Sequence, residues 1–534
     1  MLFKPAAKRV MPGEQKRGTN MSRNRAKRMH APTDNRMNPM DGLPTIRRLS
    51  VFWACVVFIV SVLAGCAAVG PNYTPVVPKT PEKWHTELRK GLSASHLNVK
   101  NLAHWWTTLN DPELTRLVER AVYGNLTLKD AQSRLREARA LRGISKAGLF
   151  PTLNVGASVT KSRGSENSGT KTEGELYAAG FDASWELDIF GGVRRAVEAA
   201  QASLEATQAE MHNVLVSLLA EVALNYVEVR TFQARLSAAY GNIKTQRETY
   251  ELNLSRYQAG IIDELAVQQA LYNLERSRSQ IPTLEIGLEA SKNRLAVLLG
   301  ESPGALHQEL DKTKPIPVPP MTIAVGVPAE TLRNRPDIRQ AERNLAAQTA
   351  RIGVATADLY PKLQLFGTIG LESVSSRDFL EWSSRTWSFG PNISWNIFDA
   401  GAIRQNIKVQ TARQEQALIQ YESAVLNAQE EVENILVAFA KEQRKRELLA
   451  KATAAARQAD LLARDRYQAG LVDFNTVLNA QLSLLSFQDE LVQSNGAVTT
   501  SLVRLYKALG GGWQFYEAAA EKPMKKAKEK LRTK

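Results

Sequence analysis

Arg256-Tyr257-Gln258-Ala259-Gly260 and Arg466-Tyr467-Gln468-Ala469-Gly470 are the same five residues, 210 positions apart. The offset holds well beyond them. Leu149-Phe150-Pro151 matches Leu359-Tyr360-Pro361, Trp185 matches Trp395, Arg194 matches Arg404, and Leu299-Gly300 matches Leu509-Gly510. Anchors so far apart that keep one spacing mean a domain written twice. The chain has 534 residues, which length alone would divide into about three domains of roughly 150 residues each. The repeat overrides that division. Copy one is expected over 111–312 and copy two over 321–521. Residues 313–320, ending Pro315-Ile316-Pro317-Val318-Pro319-Pro320, read as an extended Pro-rich linker.

Upstream of each Arg-Tyr-Gln-Ala-Gly lies a very long helical stretch. From Val193 to Ala259 there is no proline. Met211, Leu215, Leu218, Val222, Asn225, Val229, Phe232 and Leu236 fall at alternating spacings of four and three, and Tyr421, Val425, Ala428, Val432, Ile435 and Phe439 do the same. Such a seam predicts coiled-coil packing, and at 1.5 Å per residue it would reach about 100 Å. Runs such as Ala199-Ala200-Gln201-Ala202-Ser203 permit close helix approach. Gly260 and Gly470 are placed to end the helices in the left-handed conformation, and Asp263 and Asp473 to cap the helices that return. Each motif is therefore a hairpin tip. Pro282 in the first return helix has no proline counterpart at the offset position, Val492, in the second, so the copies differ there.

Before the long helix the period changes. A helical stretch, Leu114 to Ile144 or Pro336 to Ala357, gives way to alternation: Leu153, Val155, Ala157 and Val159, then Phe181, Ala183, Trp185, Leu187 and Ile189. Copy two alternates over Leu363, Leu365, Gly367, Ile369 and Leu371, then over Trp387, Phe389, Pro391, Ile393, Trp395 and Ile397. Period-two segments of about ten residues with aromatic ends suit strands of a membrane barrel, one face in lipid and one in water. A soluble hairpin gives the same alternation; an export signal tips the balance towards the membrane.

That signal is present. Arg47-Arg48 precede an apolar run, Val51 to Val62, which ends at Leu63-Ala64-Gly65-Cys66. The run is shorter than the roughly 20 residues of a transmembrane helix and has the plan of a secretory signal. Leu63, Ala64 and Gly65 resemble a bacterial lipobox, with Cys66 the residue that carries the covalent lipid after cleavage. Residues 1–65 then form a leader and 66–110 a lipidated N-terminal segment. Initiation at Met37 or Met40 would give a leader of ordinary length, so residues 1–36 are expected to be an over-extended start. The formal charge of +15 fits this division: residues 1–65 carry 12 basic and 3 acidic side chains, and the tail from Glu521 carries 7 and 2. The remaining body is nearly neutral, so the excess charge does not indicate a nucleic-acid partner.

No motif indicates catalysis. Gly300-Glu301-Ser302-Pro303-Gly304 has the pattern of a nucleophile elbow, but it follows a helical stretch where that motif needs a strand. The six histidines form no metal-ligand spacing. His104-Trp105-Trp106 reads as a packing or interface cluster, with nearby Asp111 leaving a surface site open.

Jointly, several motifs resemble those of the TolC-like outer-membrane factors, in their lipoprotein (NodT) branch. They are Cys66 followed by Val69-Gly70-Pro71-Asn72-Tyr73, Trp105-Trp106, Asp111-Pro112-Glu113-Leu114, Ser184-Trp185-Glu186-Leu187-Asp188-Ile189-Phe190-Gly191, Ser394-Trp395-Asn396-Ile397-Phe398-Asp399-Ala400-Gly401 and both tips. The resemblance spans roughly Cys66 to Trp513. It implies a mainly α protein with membrane β: a homotrimer in which each protomer adds four strands to one outer-membrane β-barrel and long helices to a periplasmic α-barrel. The implied role is a passive duct with no cofactor beyond the lipid on Cys66. Its implied partners are outer-membrane lipid, a periplasmic adaptor (membrane fusion) protein and an inner-membrane RND or ABC pump. An exit duct for type I secretion, or a lipid-anchored coiled-coil scaffold without a pore, are the alternatives. Carried over by motif, Arg256, Tyr257, Gly260, Arg466, Tyr467 and Gly470 match positions of adaptor docking and opening. Where some relatives place aspartate rings this chain has Thr476 and Asn479, with Asp473 the nearest acidic residue. The basic tail, 522–534, lies outside the resemblance.

Overall fold

The computed structural model describes residues 68–515, apart from 78–79, 89–91, 94, 96–98, 169–172 and 319–322. All of these lie within the unit Cys66–Lys534. The leader, with Leu63, Ala64, Gly65 and Cys66, and the tail 522–534 lie outside the described residues.

In chain order the elements are β1 (Leu92–Ser93), α1 (Val99–Ala103), a 3-10 turn over Trp105–Leu109, α2 (Pro112–Gly124), α3 (Leu126–Ala147), β2 (Thr152–Arg163), β3 (Glu173–Leu187), α4 (Gly192–Gln258) and α5 (Glu264–Leu298). The second half repeats the plan with β4 (Ile323–Ala324), α6 (Pro328–Asn334), α7 (Pro336–Ala357), β5 (Lys362–Ser373), β6 (Arg385–Ser394), α8 (Ala402–Gln468) and α9 (Phe474–Ala508). Both outgoing helices, α4 and α8, have 67 residues, and both return helices have 35. The repeat extends to atoms: Trp185 Nε1 donates to the Leu149 carbonyl at 3.1 Å, and Trp395 Nε1 to the Leu359 carbonyl at 3.0 Å.

Three expectations need correction at their ends. The stretch Leu114 to Ile144 is two helices, broken at Asn125. Its side chain accepts from the Leu128 amide at 2.9 Å and donates to the Leu298 carbonyl at 2.8 Å, so it caps α3 and ties it to α5. Strand β3 stops at Leu187, short of Ile189, because Asp188 turns to accept from the amides of Val193 and Arg194 and starts α4. Strand β6 stops at Ser394, short of Trp395 and Ile397, and Asp399 caps α8 in the same manner through Ile403.

The four long strands form one antiparallel sheet in the order β2-β3-β5-β6. The main core lies where α2, α3 and the 3-10 turn pack on the middle of α4, with Trp105, Trp106, Leu114, Leu117, Leu215, Leu219 and Tyr226 buried. Each such large side chain contributes on the order of 1.5–3 kcal/mol by leaving water. The heptad positions Met211, Leu215, Leu218, Val222, Val229 and Leu236 are buried as expected, while Asn225 and Phe232 are half-buried. The alanine strip works as a close-approach surface: Ala202 packs on Ala346 and Ala347 of α7.

The described part of the linker, residues 313–318, is extended but not loose. Thr499 Oγ1 donates to the Pro317 carbonyl at 2.8 Å, and Gln233 Nε2 to the Leu310 carbonyl at 2.6 Å. A short parallel pair, Leu92 with Ile323 and Ser93 with Ala324, joins the N-terminal segment to the start of the second half.

Candidate channel wall and tip

The register gives the sheet two unlike faces. Val155, Phe181, Ile369 and Trp387 form one row across all four strands, and Leu153, Ala183, Gly367 and Phe389 the next. The opposite face carries Asn154, Asp182, Thr368 and Ser388 in a row. Val155, Phe181, Ile369, Trp387, Phe389 and Ile393 are all exposed. An apolar sheet face of this size left bare in water is unfavourable; one facing hydrocarbon is not. Strands of 12, 15, 12 and 10 residues are long enough for that span. Among the described residues no helix is long and apolar enough to cross a membrane.

At the far end of the helices the two tips lie together but are not equivalent. Gly260 and Gly470 both have positive φ, 71° and 75°, as the left-handed end requires. Asp263 and Asp473 cap the return helices through Ala266 and Thr476. Arg256 reaches across to the second tip, donating to the carbonyls of Tyr467 and Gln468 at 3.2 and 2.9 Å, with its guanidinium 4.9 Å from the Tyr467 ring centre. The buried Tyr467 hydroxyl donates to Asn253 Oδ1 at 2.9 Å, and its ring meets Phe474 at 5.7 Å. Tyr257 and Arg466, the counterparts of this pair, are exposed.

The three constriction candidates sit at the start of α9. Asp473 Oδ1 accepts from both the amide and the hydroxyl of Thr476, at 3.0 and 2.8 Å. Those two bonds hold its carboxyl below the ordinary aspartate range. Thr476 and Asn479 are exposed, one turn apart on the same helix face.

Two buried clusters escaped the sequence reading because their partners are distant in sequence. Arg195, at the head of α4, donates to the carbonyls of Val69 and Gly70 at 3.0 and 3.2 Å and to Asn72 Oδ1 at 2.7 Å. Gly70 has φ +88°, and a Cβ there would lie 2.4 Å from Gly353 Cα; a Cβ on Gly191 would lie 2.4 Å from that of Ala68. The segment 68–72 thus fills a fitted socket below the sheet. The second cluster joins the fully buried Arg230 to Glu113, which also takes Lys314 Nζ at 2.7 Å, while Arg230 Nη1 donates to the Lys312 carbonyl at 3.0 Å. It clasps the linker to the core.

A family model described as outer membrane efflux protein matches residues 117–301 and 327–511, two blocks that stand at the offset of the internal repeat. The chain belongs to the outer membrane efflux protein family. Nodulation protein T of Rhizobium leguminosarum bv. trifolii is 33% identical over 462 residues, covering 85% of this chain and 96% of the relative. The cation efflux system protein CusC of Escherichia coli O6:H1 is 30% identical over 455 residues, covering 85% of this chain and 97% of the relative. Among solved structures, the outer-membrane channel OprN has 36% identity and a TM-score of 0.79, covering 84% of this chain and 100% of that one.

As an outer membrane efflux protein the chain has the TolC-like channel fold, mostly helical and internally duplicated, and its place is the outer membrane. Members of the family are channel proteins rather than enzymes. The local geometry agrees. Ser302 lies in a turn after α5, not after a strand, and Glu301 is paired with Arg120 at 2.7 Å. Trp105 and Trp106 are core residues, Trp105 stacking on Tyr506 at 5.3 Å, and Asp111 is spent on capping α2 and on the Tyr226 hydroxyl. That motif is packing, not a surface site.

Proposed function

We propose that this efflux protein works as a homotrimeric, lipid-anchored duct that carries solutes from a periplasmic adaptor and an inner-membrane pump to the exterior. The observation that carries the reading is one continuous body: a sheet with a bare apolar face running directly into two outgoing helices, each about 100 Å long. Open edges on β2 and β6 call for closure by further strands, which neighbouring copies supply. Copies one and two, 111–312 and 321–521, each furnish two strands and one hairpin. Cys66 carries the lipid, with Leu63, Ala64 and Gly65 as its recognition residues. The exposed Tyr257 and Arg466, with Arg256, Tyr467 and the turns at Gly260 and Gly470, form the end that meets the adaptor. Thr476 and Asn479, flanked by Asp473, narrow the pore by polar side chains.

The named cargoes of relatives are unlike one another, toluene for TtgI of Pseudomonas putida and cations for CusC. A duct selects by diameter and lining charge, so the pump sets the substrate range here. Deleting the gene should raise intracellular retention of the pump's substrates, and the gene supplied in trans should restore export. Full export in the deletion strain would contradict the reading.

A further inference from the structure

The internal repeat fills one groove with the chain's own N-terminal segment and leaves the twin of that groove open. α3, α4, α7 and α8 line one concave surface through Ala138, Ser203, Arg351 and Asn406. The segment 68–73 crosses the opposite side of this wall. Gly353, which receives Gly70, stands two positions from both Arg351 and Ala355 of the concave surface, and so on the other face of α7. A segment that follows a lipidated residue belongs outside a duct, so this is the outer side. There it lies between α4 and α7, with Gly70 on Gly353 beside Arg195 and Tyr73 against Ala202 and Ala346. The charges around it are matched, Arg195 with Glu198 and Arg343 with Glu342, both at 2.7 Å.

Across the offset of 210 residues α4 corresponds to α8 and α7 to α3, so the same groove recurs where α8 of one copy meets α3 of the next. This placement rests on the homotrimer proposed above. Gly143 stands in for Gly353, and a Cβ on it would meet nothing within 4 Å. Gln405 replaces Arg195, Ala412 replaces Ala202 and Arg136 replaces Ala346. The N-terminal segment reaches α8 only further from the sheet, where the Tyr421 hydroxyl donates to the Val76 carbonyl at 3.2 Å.

The open groove is basic. Arg136 and Arg139 of α3 and Arg404 and Lys408 of α8 are all exposed. Arg404 and Lys408 each stand two positions from Asn406, on the side of α8 away from the concave surface. Among the described residues none of the four is paired with a carboxylate. Of the neighbouring acids, Asp399 is spent on capping α8, which leaves Glu137 and Glu415 against four cations. Towards the sheet the exposed groups are apolar instead: Phe150 after α3, and Trp395 and Ile397 before α8. Apolar side chains on the hydrocarbon side with unpaired cations next to them match the order of acyl chains and phosphate in a phospholipid. A zwitterionic headgroup would bring a cation of its own into this groove; an anionic one does not. We infer that the groove between α8 and α3 binds an anionic glycerophospholipid of the periplasmic leaflet. The wall is then held in the membrane by its own lipid at one groove and by a bound lipid at the other.

The test uses full-length trimers in zwitterionic micelles, titrated with phosphatidylglycerol or phosphatidylethanolamine and read by native mass spectrometry. Phosphatidylglycerol should be retained up to one molecule per groove, and phosphatidylethanolamine should not. Arg404→Gln with Lys408→Gln, and separately Arg136→Gln with Arg139→Gln, should lose these adducts. Arg351→Gln with Arg413→Gln, on the concave side, should keep them. Glycerol phosphate, which lacks the acyl chains, should leave no adduct. Equal retention of the two lipids, or equal loss of phosphatidylglycerol in the concave-side pair, would overturn the site while sparing the trimer. Retention of glycerol phosphate as firmly as of the lipid would overturn it in favour of a plain phosphate site. Monomers alone would overturn the trimer and the groove with it.

Discussion

The Arg195 guanidinium lies 2.7 Å from Asn72 Oδ1, and through it the segment that follows Cys66 is fixed beneath the end of β3. Arg195 is buried while Gly70 and Asn72 keep access to water, so removing the donor costs the net worth of its charged hydrogen bonds, about 1.5–3 kcal/mol. Arg195→Met should therefore lower the thermal midpoint and open the 68–77 region to protease. Unchanged resistance to cleavage would show that the socket does not depend on this side chain.

Lipidation is separable from that socket. Cys66→Ser should abolish incorporation of labelled palmitate, whereas Arg195→Met should keep it. Labelling that persists in Cys66→Ser would refute the lipobox reading.

At the tip, Tyr467→Phe keeps the ring against Phe474 but strands the buried Asn253 Oδ1, a loss of about 1–3 kcal/mol. Tyr467→Ala removes the ring as well, and Gly470→Pro forbids the left-handed turn at φ 75°. Both should impair export while trimers survive gel filtration. Normal resistance to pump substrates in both strains would count against a role for the tip.

His212 supplies a pH prediction. It is buried, 4.7 Å from the Trp513 ring centre, and burial, with Arg339 adding repulsion, pushes its pKa from 6.5 down to about 4. The unfolded chain binds this proton below pH 6.5 and the folded chain does not until about pH 4. Stability from this group is therefore whole above neutrality and falls as pH drops through that window, by about 3 kcal/mol in all. His212→Phe should flatten the thermal midpoint between pH 7 and pH 4.5; an unaltered pH profile would contradict the burial argument.

Much of this was legible because it is local or periodic. Gly260 and Gly470 announced the turns, Asp263 and Asp473 the caps, and the four-three spacing around Leu215 and Leu218 the long helix. Alternation at Val155 and Phe181 gave the sheet its apolar row. The break at Asn125 was not visible, since its reason is the Leu298 carbonyl on a helix far along the chain. Nor were Arg195 and Arg230, whose partners include backbone carbonyls, which carry no residue signature, and the distant side chains of Asn72 and Glu113. The tip motif put Arg256 and Tyr467 at hairpin ends, where the structure has them, but implied two equal tips. The inequality comes from neighbours, Asn253 against Ala463 and Phe474 against Glu264, that differ between the copies.

The central claim is a pore, and conductance tests it most directly. Full-length protein purified from outer membranes and added to planar lipid bilayers should give discrete single-channel steps. Bilayers that stay silent at trimer concentrations sufficient for insertion would contradict the account.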